Sequence, residues 1–287
     1  VKTLGTKLIR MAVLVLLAGL GSAILVRFSP GALVDERELD QRMSTETLAA
    51  MRNQRAIDNG LGRGLSRYFQ NAIHGDLGKS QSNNVPITKL LLKNAPPTLR
   101  RVGIGLAGAW FFGLWLAIPV AYFRSAWMLD AGAALFTSTL LSLPAGVLAY
   151  LSLTISAPVE MVLLLVLTPR VFRFARNVLV QAYGSTHVDM ARARGINEVR
   201  ILFAHVFPSA APQLLALIAT SLSMAVGAII PIEAICDAAG LGRLAWQAAI
   251  ARDLPLLLNL TMLIALATTA AMAFTEVIAG QPAENAR

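Results

Sequence analysis

The chain has 287 residues, 56% of them hydrophobic and 14% charged, with a net charge of +9 and a mean hydropathy of +0.62. That balance excludes a soluble enzyme and describes an integral membrane protein with one membrane domain. The positive charges fall between apolar runs without interleaved aromatics, so they are expected to set topology and meet anionic lipid, not nucleic acid.

In chain order, Lys2, Lys7 and Arg10 precede an apolar run from Met11 to Val26. A basic start and short apolar core would also fit a signal peptide, but no clear small-x-small cleavage site precedes Arg27 and further spans follow. A retained first helix over 8–26 is therefore predicted. Residues 27–98 form a polar segment too long for a passive turn. Within it SPG at 29–31 predicts a turn, Ser44 to Thr47 opens a helical stretch, and 65–73 is amphipathic. Residues 74–80 read HGDLGKS, which mimics the end of a phosphate-binding loop. Such a loop needs glycine at position 73, where Ile73 stands, so no nucleotide site and no cofactor are expected on this chain.

A second span is predicted from about Leu99 to Tyr122, with a kink at Pro119. It contains Gly103-x-Gly105-x-x-Gly108, read as small residues that let membrane helices approach, not as a dinucleotide fingerprint. Asp130 is expected to cap a third span over 131–153, which carries SLPAG at 142–146. Pro158 opens a short fourth span ending at Leu167, followed by Pro169 and a basic turn of Arg170, Arg173 and Arg176. A fifth span covers 213–232, and a sixth runs from Pro255 to about Val277. Cys236, the only cysteine, excludes an intramolecular disulfide and is read as a small buried or interfacial residue.

The stretch from Tyr183 to Pro212, YGSTHVDMARARGINEVRILFAHVFPSAAP, is polar and basic between apolar segments. It predicts two short helices meeting at a bend. The first ends near Arg194 at Gly195, and the second is capped by Asn197, with Glu198 in its first turn, and ends near Pro208. By shape it is either a docking element or an ordinary loop. Asp189, Ala191, Gly195 and Pro208 fit acidic-x-Ala-x3-Gly-x12-Pro, which resembles the cytoplasmic EAA loop of ABC importer permeases. DMARARG is similar to the variant found in the dipeptide, oligopeptide and nickel permeases of that family. Asp189 stands where the motif usually has Glu, and His205 where it usually has Ile.

The resemblance recurs elsewhere. GDLGKS, followed by proline and Pro-Thr-Leu, resembles the family's extracytoplasmic loop, and SLPAG its Ser-x-Pro element. Glu233, then Gly-Leu-Gly at 240–242, then Ala-Ile-x-Arg252-Asp253-x-Pro, resembles its loop between the last two spans, with Ala239 where proline is usual. The resemblance implies an all-α type I importer permease of six transmembrane helices: a first helix over 8–26, a long extracytoplasmic loop over 27–98, and a five-helix core over 99–279 containing the coupling loop 183–212. It implies ATPase coupling through Asp189, Ala191, Arg192, Arg194, Gly195 and Pro208. It also implies docking of a solute-binding protein on Gly75, Asp76, Gly78, Glu233, Gly240, Gly242, Arg252 and Asp253. The implied partners are ABC ATPase subunits, a second permease in a heterodimeric pore, an extracytoplasmic solute-binding protein and the lipid bilayer.

Six spans put both termini on one side. The short loops there hold most of the basic residues, Arg124, Arg170 and Arg192 among them, while the opposite short loops hold Arg243 and Arg252, so the termini and the 183–212 stretch are expected in the cytoplasm of a bacterial inner membrane. His74, His187 and His205 fall on two sides and offer no common metal site. No catalytic constellation stands out, and Glu160, Glu233 and Glu276 are read as hydrated span ends. Without ionisable groups at mid-membrane, a proton- or sodium-driven carrier is disfavoured and energy is expected from a separate ATPase. The apolar lining, with Met its only soft donor, suits dipeptides or oligopeptides. Nickel or another small solute, and a secondary transporter working without nucleotide, remain the alternatives.

Overall fold

The computed structural model describes residues 2–28, 77–123 and 127–284, and over these residues the regular structure is helical apart from an isolated bridge between Lys79 and Pro86. The predicted pieces at 29–31, 44–47 and 65–73, together with His74, Gly75, Asp76 and Arg124, lie outside the described residues.

Helix α1 covers Lys2–Phe28, six residues longer at its start than the expected 8–26 span. Helix α2 covers Ile87–Tyr122 and so begins well before Leu99. Pro96 and Pro97 withhold two backbone donors from it. Its first turns persist because Ile87 is fully buried against Leu244, Leu256 and Leu260. The third span is not continuous. Helices α3 (Trp127–Ser142) and α4 (Ala145–Thr154) meet at 89°, because Pro144 cannot donate to the ladder and forces the residue before it out of helical geometry.

The short fourth span and its basic turn are also corrected. One helix, α5, runs Val159–Tyr183 with Pro169 inside it. Its arginines do not end the helix because neighbours satisfy them. Arg170 donates to the Val166 carbonyl at 2.8 Å, Arg173 to Ser138 Oγ, and Arg176 pairs with Asp130. Asp130 therefore sits inside the first turn of α3, paired across helices.

Helices α6 (Thr186–Ala193) and α7 (Glu198–Ile201) follow. A π-helical turn over Leu202–Val206 then leads without interruption into α8 (Phe207–Ile235). The expected stop near Pro208 is absent. The widened turn lets Phe207 N donate to Leu202 O, so the ladder is already re-phased when it reaches the donor-less Pro208. Helix α9 (Leu241–Ile250) occupies the loop after α8, and α10 (Leu254–Glu284) ends the described chain, past the expected limit at Val277.

Three helical stretches, Ile87–Tyr122, Glu198–Ile235 and Leu254–Ala273, are long and apolar enough to cross a membrane, and the bent α3–α4 pair makes a fourth. Helix α1 contributes a shorter apolar stretch, Ile9–Ser22. The tightest packing joins α2 to α5. A Cβ on Gly105, Gly108 or Gly113 would lie 2.8, 2.5 or 2.7 Å from Leu163, Leu164 or Val171. Gly105 and Gly108 of the predicted pattern thus lie in a helix-packing seam that Gly113 extends, while Gly103 faces open space.

Candidate functional site

Beyond Tyr183 the chain leaves the helical bundle as a hairpin, α6–α7, whose bend follows from two residues. Gly195 has φ +73°, Gly195 N donates to Arg192 O at 2.9 Å, and Ile196 N to Ala191 O at 3.2 Å. That pair of bonds is a Schellman cap, which needs the left-handed region that glycine enters without strain. Two residues later Asn197 Oδ1 accepts from Val199 N at 3.1 Å and starts α7. Both expected caps are therefore present.

The hairpin stands on a buried base. Val188, Ile201 and Val206 are fully buried and Ala191 nearly so, in one cluster with Phe172, Leu179 and Tyr183 of α5. Burial of this kind contributes about 1.5–3 kcal/mol per large side chain. Across the bend, Arg192 Nε meets Glu198 Oε1 at 2.8 Å and Nη2 meets Oε2 at 3.4 Å. Arg192 also lies 3.8 Å from Asp189 and 5.9 Å from the Tyr183 ring centre. The hydrogen bond to Glu198 raises the Arg192 pKa above its ordinary value against the opposing effect of burial, and the charges of Glu198 and Asp189 add to the rise. Outward, the hairpin presents Met190 and Val199, 60% and 62% exposed, beside the open side chain of Asp189. Of the expected coupling residues, Ala191 is thus a packing residue and Arg192 a brace. Asp189, Arg194 and Gly195 face outward, and Pro208 lies on the helix that continues from the hairpin.

At the opposite end two buried carboxylates tie the loops to the helices. Glu233 is fully buried inside α8, which corrects its reading as a hydrated span end. It accepts from Thr98 Oγ1 at 2.9 Å, Arg101 Nη1 at 2.9 Å and Gly242 N at 2.8 Å. Arg101 also donates to Ala239 O at 2.7 Å. Gly240 and Gly242 are required by this approach. A Cβ on Gly240 would lie 2.2 Å from the carboxylate, and one on Gly242 2.7 Å from Ile230 Cα.

Asp253, likewise fully buried, accepts from Ser80 Oγ, from Ser82 N at 3.1 Å and from Ser82 Oγ at 2.9 Å, and caps α10 through Leu256 N at 3.2 Å. Burial acts to raise its pKa, but the donors from Ser80, Ser82 and Leu256 prevail and hold it below the usual carboxylate value. Gly78 and Arg252 turn the chain beside it at φ +74° and +52°. Side chains expected on a docking surface, Glu233 and Asp253, therefore shape that surface from beneath.

The charge-free stretch 102–122 of α2 is about 31 Å long, the thickness of a bilayer core, so its centre lies near Phe112. Gly113 packs on Val171, which puts Arg170 within about one residue's rise of the middle of that stretch. Arg170 is exposed and lines a cavity of about 250 Å³ with Ser142, Leu143 and Pro144, at the break between α3 and α4. Reading the arginines as a turn after the span hid this from the sequence. The signal that could have found it is the spacing 170, 173, 176, which puts three arginines on one helical face.

An all-helical bundle with several helices long and apolar enough to cross a membrane, one pair bent at 89° and a braced hairpin standing outside, is the architecture of a multi-pass membrane protein. The chain belongs to the binding-protein-dependent transport system inner membrane component family, whose model matches residues 109–280. Among its relatives, a putative peptide transport system permease protein of Brucella abortus (strain 2308) is 25% identical over 238 residues, covering 74% of this chain and 76% of that one. The nickel import system permease protein NikB of Staphylococcus aureus (strain USA300) is 26% identical over 273 residues, covering 90% of this chain and 83% of that one. In fold, the chain is similar to one from the MetNI methionine ABC transporter solved in inward facing conformations, with a TM-score of 0.52 at 18% identity over 66% of this chain and 96% of that one.

Proposed function

We propose that this chain is one of two transmembrane subunits of an ATP-driven importer for dipeptides or oligopeptides. It crosses a bacterial inner membrane six times, with both termini in the cytoplasm, when α1 and α5 are counted with the four apolar spans. The observation that carries the reading is the α6–α7 hairpin. Its exposed Met190 and Val199 are held on a buried base and locked by the Arg192–Glu198 brace, a rigid apolar knob of the kind that seats in another protein. The partner it fits is a separate ABC ATPase, with Asp189, Arg194 and Gly195 at the contact, Ala191 and Arg192 holding the shape, and Pro208 carrying it into α8. ATP is hydrolysed on that partner and this chain binds no cofactor. A solute-binding protein docks at the other end, on the α9 region and the 77–86 loop, whose form Glu233, Gly240, Gly242 and Asp253 maintain together with the turns at Gly78 and Arg252. Gly75 and Asp76 extend the same loop. A second, different permease completes the pore.

The nickel relative, aligned over more of this chain than the peptide relative, keeps nickel as the second reading. Co-purification of the chain with an ATPase subunit, and loss of peptide uptake when it is deleted, test the first. Unchanged peptide uptake with lost nickel accumulation would replace it with the second, and uptake that continues without ATP hydrolysis would overturn both. Reporters inserted near Ser80 and Arg192 should lie on opposite sides of the membrane; the same side for both would end the six-span topology.

A further inference from the structure

We propose that Arg170 is a carboxylate-receiving station on the path of the solute, at the centre of the membrane; this rests on the peptide reading and names the group of the peptide that is met. Three observations converge. The glycine seam with α2 puts Arg170 level with Gly113, the middle of the charge-free stretch 102–122 on which a bilayer core of about 30 Å would be centred. Its guanidinium donates to the Val166 carbonyl, and among the described residues no carboxylate pairs with it, unlike Arg101, Arg176 and Arg192. Its side chain lines the cavity at the 89° break between α3 and α4, where Ser142 adds a hydroxyl.

A cation at that depth faces the bundle interior or a water-filled cavity, not hydrocarbon, and such residues mark solute paths. Broken spans near the midplane are where transporters place solute contacts, since irregular backbone is tolerated only against a cavity. The planar guanidinium offers a carboxylate several donors beyond the one used on Val166. A bare divalent cation would be repelled by it, so the feature favours a peptide with its terminal carboxylate over a free metal ion. Arg173, one turn further along the same face and hydrogen-bonded to Ser138 Oγ, extends the positive potential toward the hairpin end.

The test uses the complete transporter in proteoliposomes, with its binding protein and ATPase. Alanyl-alanine and its C-terminal amide are supplied at saturating concentration and their uptake ratio is measured. Delivery by the binding protein is common to wild type and variant, so a change in the ratio reports the pore. Wild type is expected to favour the acid. Arg170→Gln should lower uptake of the acid at least about tenfold and bring the ratio toward one, and Arg170→Lys should keep part of the preference. An unchanged ratio, or equal loss of both solutes in the Gln and Lys variants, overturns the assignment. Wild type that carries neither solute, nor tetra-alanine or its amide offered in the same way, overturns the peptide reading and this inference with it. Arg170→Cys in a Cys236→Ser background should react with a membrane-impermeant thiol reagent. Protection from the reagent would mean that a partner subunit seals the cavity, and would overturn the assignment.

Discussion

Gly195 allows the hairpin to be tested by a graded series in which only the backbone is perturbed. A Cβ at this position meets nothing within 4 Å, while φ is +73°. Substitutions therefore differ through conformational cost, not through clash. Asn tolerates the left-handed region, Ala pays about 1–2 kcal/mol there, and a β-branched Val is more strained, up to about 3 kcal/mol. One to three kcal/mol is a factor of about 5–150 in the population of the native bend. Because the Arg192–Glu198 contact and the burial of Ile201 both lie across that bend, its loss uncouples α7 from α6. The assay is solute-stimulated ATP hydrolysis by the assembled complex, with membrane insertion checked by the level of the protein. We expect Gly195→Asn to remain near wild type, Gly195→Ala to be intermediate, and Gly195→Val to lose transport while still inserting. Equal activity of the Asn and Val variants, or full stimulation in the Val variant, would refute the role given to the bend.

Three further outcomes follow from the same structure. Arg101→Ala leaves the buried Glu233 without its cation and should cost about 3–5 kcal/mol, read as a lower thermal midpoint in detergent, with Glu233→Gln costing less; equal midpoints for the two would contradict the buried pairing. The depressed pKa of Asp253 means that its contribution to stability is complete above its unfolded-state pKa and disappears as pH falls through the lower folded value. Acidification below the ordinary carboxylate range should thus release the 77–86 loop, seen as faster proteolysis near Ser82, and Asp253→Asn should show that release already at neutral pH. Asp189→Ala removes a largely exposed side chain whose nearest charge is 3.8 Å away, so it should abolish transport with a stability change of about 0.5 kcal/mol or less; a large loss of stability instead would make Asp189 a structural residue.

Local signals were legible in the sequence where the determining atoms lie close together along the chain. Gly195 and Asn197 act within a few residues of themselves, and the glycine seam of α2 needs only that some helix pack there. The misread features depend on partners far away in sequence. Nothing near Glu233 announces Thr98 and Arg101, 135 and 132 residues distant, so an acidic residue at a span end looked hydrated. Pro169 followed by Arg170 looked like the end of a helix because Ser138 and Asp130, which satisfy the next two arginines, belong to α3. Pro144 and Pro208 show that proline alone does not decide. At Pro144 the helix breaks, whereas at Pro208 the preceding π turn has already shifted the ladder.

The continuity of that π turn with its neighbours has a mechanical consequence. The stretch Glu198–Ile235 is one rod of 38 residues, about 57 Å long. Glu198, the acceptor of the hairpin brace, stands at one end of it, and Glu233, hydrogen-bonded to Thr98, stands near the other. A tilt of about 5° pivoting at either end displaces the far end by about 5 Å, more than the length of a hydrogen bond. The two ends of the molecule are thus arms of one lever, and its most compliant point is the widened turn at Leu202–Val206, next to the hairpin.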